Sequence, residues 1–280
     1  MMQNKKEDTE MAAITPQLVK ELRDKTDAGM GECKKALVQC DGDINAAIDF
    51  LRKAGIAKAG KRAEKATKEG KVCVAIDGNK AVIVEILCET DFVANNEKFV
   101  DFAQTTAQDV LAKTSGDGDV TAQAQEMEAE NLAATFTKFG EKVVLRRALR
   151  YETAGAIAFY LHGGGKVGVM IDAEGKIDDA TLLKDICMHI AAYSPSYACS
   201  CEIPESVIEH EKEIGRAQLL DQGKKPEMID KILVGKIAKW YQEVCLIEQP
   251  WIRDDKTCLK KLYPALKINK FVRWAVGQEI

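Results

Sequence analysis

The sequence predicts an α+β fold with an N-terminal three-helix bundle, a duplicated α+β core with antiparallel sheets, and an inserted antiparallel helical hairpin. Three observations lead to this fold class. Apolar residues recur at helical spacing in short, capped segments up to Gly55, as expected for amphipathic helices. The apolar period changes to two after Gly70 and again after Gly155, which is typical of strands. Two long helix-period runs flank Gly223-Lys224-Lys225-Pro226, which predicts two helices joined by a turn.

The bundle contains three predicted helices. Thr15-Pro16 places a capping residue before a proline at the first helical position, and Asp27-Ala28-Gly29 ends this helix. Asp43 caps the third helix, which ends at Gly55. The loop Gly29-Met30-Gly31, followed by Ala-Leu and Gly-Asp, resembles that of a ubiquitin-associated (UBA) domain. A UBA-like bundle is usually a docking module, and a structural cap is the competing interpretation.

The core is predicted to contain the same unit twice: a hairpin, helices and a third strand. The first hairpin turns at Asp77-Gly78-Asn79 and the second at His162-Gly163-Gly164-Gly165. Similar closing strands are predicted at residues 145–149 and 272–276. Helices are predicted at 99–111 and 123–139 in the first copy, at 182–192 in the second, and at 203–220 and 228–244 in the arm. An arm of this kind usually reaches toward another molecule.

These patterns divide the chain into segments. The predicted boundaries are 1–11 for a flexible extension, 12–55 for the bundle, 56–69 for a linker, 70–153 for core unit 1, 154–201 and 247–280 for the two parts of core unit 2, and 202–246 for the helical hairpin arm. The linker is rich in lysine and alanine but has no aromatic residue for base stacking. A solvated helical linker is therefore favoured over a nucleic-acid patch.

Composition restricts the class of protein. The net charge of −4 argues against a general nucleic-acid binder, and no apolar run approaches the ~20 residues that span a membrane. The first ten residues lack the apolar segment of a signal peptide. Nine cysteines in such a chain indicate reduced thiols and a cytoplasmic protein. Cys199-Ser200-Cys201 lacks a second pair at zinc spacing, so free thiols are favoured over a metal site.

Signs of catalysis are weak. Gly163-Gly164-Gly165-Lys166 lacks the first glycine and the Ser/Thr of a phosphate-binding loop, and no GxSxG nucleophile accompanies His162-Gly163-Gly164-Gly165. The three histidines do not have HExxH spacing. We expect His189 in the core, His210 exposed on the arm, and His162 in an exposed turn. The chain is therefore predicted to be a binding protein, not an enzyme, with no cofactor.

One strand-to-helix corner stands out. The apolar residues Val82, Ile83, Val84, Ile86 and Leu87 lie in a run that predicts a strand buried on both faces. Thr90 or Asp91 is placed to cap the next helix. Phe92 follows this polar cluster, either as a core plug or as a contact for a partner. The matching position of the second copy, Ile171-Asp172-Ala173, has no aromatic residue. A shared fold therefore does not require Phe92, which favours a partner contact.

Ordered motifs along nearly the whole chain after Met11 resemble bacterial translation elongation factor Ts. They are Leu18-Val19-Lys20-Glu21-Leu22-Arg23, Ala28-Gly29-Met30, Cys33-Lys34-Lys35-Ala36-Leu37, Gly42-Asp43-Ile44, Thr90-Asp91-Phe92-Val93, His162-Gly163, Met188-His189-Ile190-Ala191-Ala192, Gln249-Pro250 and Phe271-Val272-Arg273. Asp27 is a departure, because a glycine is common there.

The resemblance implies a guanine-nucleotide exchange factor that binds elongation factor Tu with GDP and promotes GDP release during translation elongation. It implies that Thr90-Asp91-Phe92-Val93 dislodges the magnesium ion of the GTPase: Phe92 would wedge between helices of the partner, Asp91 would contact it, and Thr90 and Val93 would hold the corner. Met30, His162 and Gly163 are further expected contacts. Direct binding of nucleic acid or membrane is not expected. The alternative is a non-catalytic adaptor whose bundle binds helices.

Overall fold

The bundle is formed by the first three helices of the computed structural model, which describes residues 14–26, 28–61, 66–175 and 181–279. They are α1 (Pro16–Thr26), α2 (Met30–Gln39) and α3 (Ile44–Lys61). Thr15 Oγ1 accepts a hydrogen bond from Leu18 N at 3.2 Å, and Asp43 Oδ1 accepts one from Ala46 N at 3.0 Å. Both predicted caps are therefore confirmed. The bundle has its own apolar core, with Leu22, Cys33, Ala36 and Leu37 fully buried.

Two boundaries in this region were predicted wrongly. Helix α2 starts at Met30, so Gly29 is its N-cap and Met30-Gly31 is not loop. Helix α3 does not end at Gly55 but continues to Lys61, so residues 56–61 of the linker, which was predicted to be helical, do form helix. A single glycine weakens a helix only modestly, and the alanines and lysines that follow favour helix. The extension 1–11, Asp27 and linker residues 62–65 lie outside the described residues.

The first sheet has the strand order β1-β2-β4-β3. Its strands are β1 (Glu69–Asp77), β2 (Lys80–Cys88), β3 (Gly118–Asp119) and β4 (Val144–Glu152), all paired antiparallel. Between them lie α4 (Asp91–Ala94), α5 (Glu97–Lys113), α6 (Thr121–Met127) and α7 (Ala129–Phe139). The predicted helix 123–139 is wrong as a single element. It breaks at Glu128, whose buried side chain accepts a hydrogen bond from Asn131.

The second sheet consists of β5 (Ala156–His162), β6 (Val167–Glu174) and β7 (Lys267–Ala275), in the order β5-β6-β7. Helix α8 (Leu182–Tyr193) packs against β5 and β6. The described part of the chain thus has a mixed α+β fold, with three N-terminal helices, two antiparallel sheets and further helices.

The two sheets share an apolar interface, which explains why β2 is buried on both faces. Val82, Val84 and Ile86 of β2 pack in the cluster that contains α5. Ala81 and Ile83 pack with residues of the second sheet, including Met170. A Cβ at Gly168 would lie 2.3 Å from Cγ1 of Val72, so glycine is needed where the sheets approach. The predicted burial of β2 on both faces is confirmed.

The arm is formed by α9 (Glu205–Asp221) and α10 (Pro226–Val244), which pack against each other beyond a short turn. Their contact buries Ile229, Leu233 and Ile237. The chain then passes through α11 (Leu259–Leu262) before β7. Among the described residues, no helix has both the length and the apolar character to cross a membrane.

The prediction that all cysteines are reduced is wrong for one pair. A turn of 3₁₀ helix at Ser200–Glu202 brings Cys199 and Cys201 together, with their Cα atoms 5.2 Å apart, and they form a disulfide. This separation lies within the usual range for a disulfide. The expected burial of Cys33, Cys73, Cys88 and Cys187 is confirmed, and each is a free thiol.

Candidate partner-binding site

The corner at residues 88–96, called the Phe92 corner below, lies between β2 and α5. Thr90 is the N-cap of α4, with φ −125° and ψ 156°, and its Oγ1 accepts a hydrogen bond from Val93 N at 3.4 Å. Helix α4 has four residues. Asn96 then caps α5 by accepting a hydrogen bond from Lys98 N at 2.9 Å. Of the two residues predicted as possible caps, Thr90 and Asp91, Thr90 is the cap.

Glu141, just beyond α7, clamps the corner. Its Oε1 accepts a hydrogen bond from Thr90 Oγ1 at 2.6 Å, and its Oε2 accepts from the backbone nitrogens of Glu89 at 3.1 Å and Thr90 at 3.0 Å. In return, Glu89 Oε1 accepts a hydrogen bond from Lys142 N at 2.9 Å. Bonds to an ionised carboxylate are stronger than neutral ones. Hydrogen bonds in both directions between residues 89–90 and residues 141–142 therefore hold the corner in place.

A buried thiol adds a further contact beneath the corner. Cys88 Sγ donates a hydrogen bond to the carbonyl oxygen of Thr90, at 3.2 Å. Burial, together with the nearby Glu141 carboxylate, raises the pKa of the Cys88 thiol to about 12. The thiol therefore keeps its proton at neutral pH and remains a donor.

The side chains of α4 divide into an anchor and an exposed pair. Ala94 is fully buried and Val93 packs against the same core cluster. Asp91 is exposed, and Phe92 is 86% exposed, the highest value among the exposed large hydrophobic residues of the described chain. The core-plug interpretation of Phe92 is therefore wrong. A rigid corner that presents an aromatic ring to solvent is typical of a protein contact.

The second hairpin turn, residues 162–165, is called the His162 turn. His162, Gly163 and Gly164 are exposed, as predicted. The three glycines have φ of 58°, 63° and 89°, a region that glycine enters without steric cost. The hydroxyl of Tyr160 lies 3.1 Å from His162 Nδ1, so the two groups share a hydrogen bond that orients the imidazole ring.

Lys71 of β1 joins the two elements. Its Nζ donates hydrogen bonds to Asn95 Oδ1 in the Phe92 corner, at 3.1 Å, and to the carbonyl oxygen of Gly164 in the His162 turn, at 2.8 Å. The Lys71 side chain is only 7% exposed. The carbonyl oxygen of Gly165 also accepts a hydrogen bond from Val72 N at 2.8 Å. The structure therefore places two predicted contact elements beside each other.

Met30 belongs to a separate element. It lies in the first turn of α2, and its side chain is 50% exposed. The bundle is linked to the Phe92 corner through α7, which packs on α3 and ends just before Gly140 and Glu141. Sequence reasoning missed both Glu141 and Lys71, because neither lies in a motif and both act on groups distant in the chain.

Two further expectations concern metal binding and the remaining histidines. No group of three or more His, Cys, Asp or Glu side chains is placed to hold a metal ion within the described ranges. His189 is fully buried, between Tyr193 and Trp251, and its Nε2 lies 2.9 Å from Gln249 Oε1. The predicted core position of His189 and the predicted exposure of His210 are confirmed.

Comparison with known proteins points to one family. The family model described as "Elongation factor TS" matches residues 89–278. A relative from Thioalkalivibrio sulfidiphilus is 45% identical over 278 residues, covering 95% of this chain and 93% of its own. Relatives from Halothermothrix orenii (42% over 274 residues, 94% and 92%) and Bdellovibrio bacteriovorus (42% over 291 residues, 96% and 94%) are similar. All three are named "Elongation factor Ts".

Proposed function

Because the chain belongs to the elongation factor Ts family, the nucleotide exchange factors of elongation factor Tu, we propose that its Phe92 corner opens the nucleotide site of Tu. An exchange factor is not an enzyme, since it forms and breaks no covalent bond in its partner. The observation that carries the proposal is the 86% exposure of Phe92 on a corner held by Thr90, Glu141 and Lys71. In this proposal Phe92 enters between helices of the GTPase and disturbs its magnesium site.

The neighbouring residues have distinct proposed roles. Asp91 is exposed beside Phe92 and contacts the partner directly. Thr90 and Val93 hold the corner, one through its hydrogen bond to Glu141 and the other by packing on the core. His162 and Gly163 form a second contact, since Lys71 holds their turn next to the corner. Met30 contributes a third contact from the bundle.

We also infer the organisation behind these contacts. The UBA-like bundle, residues 12–55, and core unit 1, residues 70–153, dock on the GTPase domain. Core unit 2, residues 154–201 and 247–280, repeats the hairpin and closing strand of unit 1 and contacts the distal domain of Tu. The linker and the arm keep the boundaries 56–69 and 202–246. Translation elongation places the protein in the cytoplasm.

Exchange requires that Tu binds this chain and GDP with mutual antagonism, so that each weakens the other equally. A thousandfold weakening corresponds to about 4 kcal/mol, at about 1.4 kcal/mol per tenfold. Fully burying one phenylalanine contributes about 1.5–3 kcal/mol. Phe92 alone therefore falls short, and the bundle, the His162 turn and core unit 2 must supply the remaining binding free energy.

The test is the rate of release of a fluorescent GDP analogue from purified Tu, measured by stopped flow at increasing concentrations of this protein. The titration is run with magnesium and again with magnesium chelated. We expect strong acceleration with magnesium, and a much smaller acceleration factor once chelation has removed the ion. Equal acceleration factors under both conditions would contradict a mechanism that acts through the magnesium site. No acceleration, with Tu still bound, would favour the adaptor alternative.

A further inference from the structure

We propose that Glu141 is a positioning residue for nucleotide exchange, which fixes the direction in which Phe92 projects from its corner. The inference rests on the proposed function of the Phe92 corner and deepens it. Glu141 does not belong to the motif around Phe92, from which it is separated by α5, α6 and α7. It acts on Phe92 through Thr90, the residue that caps α4.

Glu141 accepts three hydrogen bonds at the start of the corner. Two carboxylate oxygens of Glu141 accept from three donors, two of them backbone N–H groups and one a hydroxyl. The backbone groups belong to Glu89 and Thr90, at the end of β2, where the chain leaves the sheet. The hydroxyl of Thr90 donates to Glu141 and accepts from Val93 N. Glu141 therefore sets the backbone direction and completes the cap of α4.

Helix α4 is too short to hold its own direction. A helix of four residues has no stability of its own, because the first helical turn is costly to form. Its orientation is set by its anchors, which are Thr90 at the start, the buried Ala94, and Asn95 at the end. Without Glu141 the start of the corner loses three hydrogen bonds, and the corner can sample other directions. The corner would then have to become ordered on the partner, and this entropic cost would lower the rate of GDP release.

Glu141 lies just beyond the end of a helix that packs on the bundle. Gly140, with φ 70°, ends α7, and Glu141 follows directly. Helix α7 packs on α3 of the bundle, and Thr137 Oγ1 of α7 lies 3.5 Å from the carbonyl oxygen of Leu51. Glu141 thus fixes the corner to the element on which the bundle rests. The bundle and Phe92 can then meet the partner as one body.

The experiment compares Glu141→Ala with Glu141→Gln in the full-length protein, by stopped-flow release of a fluorescent GDP analogue from Tu. The titration separates the half-saturating concentration from the maximal release rate. We expect Glu141→Ala to lower the maximal rate about ten- to hundredfold, which equals the contribution of about one hydrogen bond to a charged acceptor. The half-saturating concentration should change less than about threefold, since the bundle still docks.

Glu141→Gln should keep most of the maximal rate. Its amide oxygen can accept from both backbone N–H groups, and its amide nitrogen can donate to Thr90 Oγ1. Glu213→Ala, which removes an exposed glutamate of α9 in the arm, is the matched control and should behave like the wild type. Amide hydrogen exchange over residues 88–96 should be faster in Glu141→Ala than in the wild type and Glu141→Gln.

Three results would overturn the proposal. One is a normal maximal rate for Glu141→Ala. Another is a Glu141→Gln variant as slow as Glu141→Ala, which would show that the charge itself meets the partner. If Glu141→Ala does not fold, Thr90→Val tests the same bond, and a normal maximal rate in that variant is the third. A slow Phe92→Ala with a normal Glu141→Ala would refute the positioning role alone, whereas a normal Phe92→Ala would refute the proposed function.

Discussion

The sharpest prediction concerns Phe92→Ala. The change removes the ring that projects furthest from the corner and leaves the corner's hydrogen bonds in place. If the ring is buried only as the nucleotide site opens, its loss lowers the maximal GDP-release rate and leaves initial docking almost unchanged. The half-saturating concentration should therefore stay within about threefold of the wild-type value.

The magnitude follows from the exposed fraction of the side chain. Fully burying a phenylalanine contributes about 1.5–3 kcal/mol. Because 86% of Phe92 is exposed, about 1.3–2.6 kcal/mol of this remains to be gained in a complex. At about 1.4 kcal/mol per tenfold, the maximal rate should fall about 10- to 80-fold. The free energy of unfolding should change by less than about 0.5 kcal/mol, as for other surface positions.

The assay is stopped-flow release of a fluorescent GDP analogue at saturating concentrations of each variant, with thermal unfolding measured in parallel. Leu220→Ala, which removes an exposed apolar side chain from α9 in the arm, is the matched control and should release GDP at the wild-type rate. A wild-type maximal rate for Phe92→Ala would refute the wedge. A loss of docking with an unchanged maximal rate would make Phe92 an ordinary interface residue instead.

Three further predictions concern buried groups. Lys71→Met should slow GDP release severalfold and lower the Tm by about 2–8 °C, because the acceptors at Asn95 and Gly164 lose their donor. An unchanged rate of GDP release would contradict coupling between the Phe92 corner and the His162 turn. Glu85→Ala should lower the free energy of unfolding in urea by about 3–5 kcal/mol, since fully buried Glu85 pairs with two arginines; a loss below about 1 kcal/mol would contradict this. Burial lowers the pKa of His189 below its usual 6.5, so the unfolded chain binds the proton first. The Tm should therefore decline as pH falls below about 6.5 and decline less steeply in His189→Phe, and equal slopes in the two proteins would refute this.

The structure indicates which nitrogen of His189 carries the proton, whereas the sequence does not. Gln249 Nε2 donates to the carbonyl oxygen of Glu243 at 2.8 Å, so its Oε1 faces His189 Nε2. The neutral imidazole therefore carries its proton on Nε2 and leaves Nδ1 as the unpartnered atom. Sequence spacing predicted a core histidine but contained no information about Gln249, which lies 60 residues away.

Local signals in the sequence were reliable where one short segment decides the outcome. The Asp77-Gly78-Asn79 turn has Asp77 paired with Lys80, and the closing strands fall within β4 and around the end of β7. Thr15 and Asp43 cap helices because capping depends on residues three positions away. One error arose at the break beside Glu128, where a buried side chain interrupts the helical pattern. The other arose at Gly55, where the helix propensity of the alanines and lysines that follow outweighs a single glycine.

The candidate site likewise contains residues that the sequence predicted and residues that it did not. The exposure of His162 and the capping role of Thr90 follow from turn and cap chemistry, which the sequence displays. Phe92 was ambiguous because an apolar residue after a strand is compatible with a core or a surface. Glu141 and Lys71 could not be predicted, because a glutamate or lysine in one sequence does not indicate which distant backbone groups it will bind.

Glu141 and Lys71 help to explain how Phe92 can promote GDP release, although burying its ring supplies less free energy than the release requires. Glu141 ties the Phe92 corner to α7, and Lys71 ties it to the His162 turn. If the corner moved freely, binding free energy gained by the bundle or the turn would not act on Phe92, because each contact would form independently. Since all three elements belong to one body, each contact favours the same placement of Phe92. The coupling between docking and GDP release should therefore depend on Glu141 and Lys71 as well as on the ring.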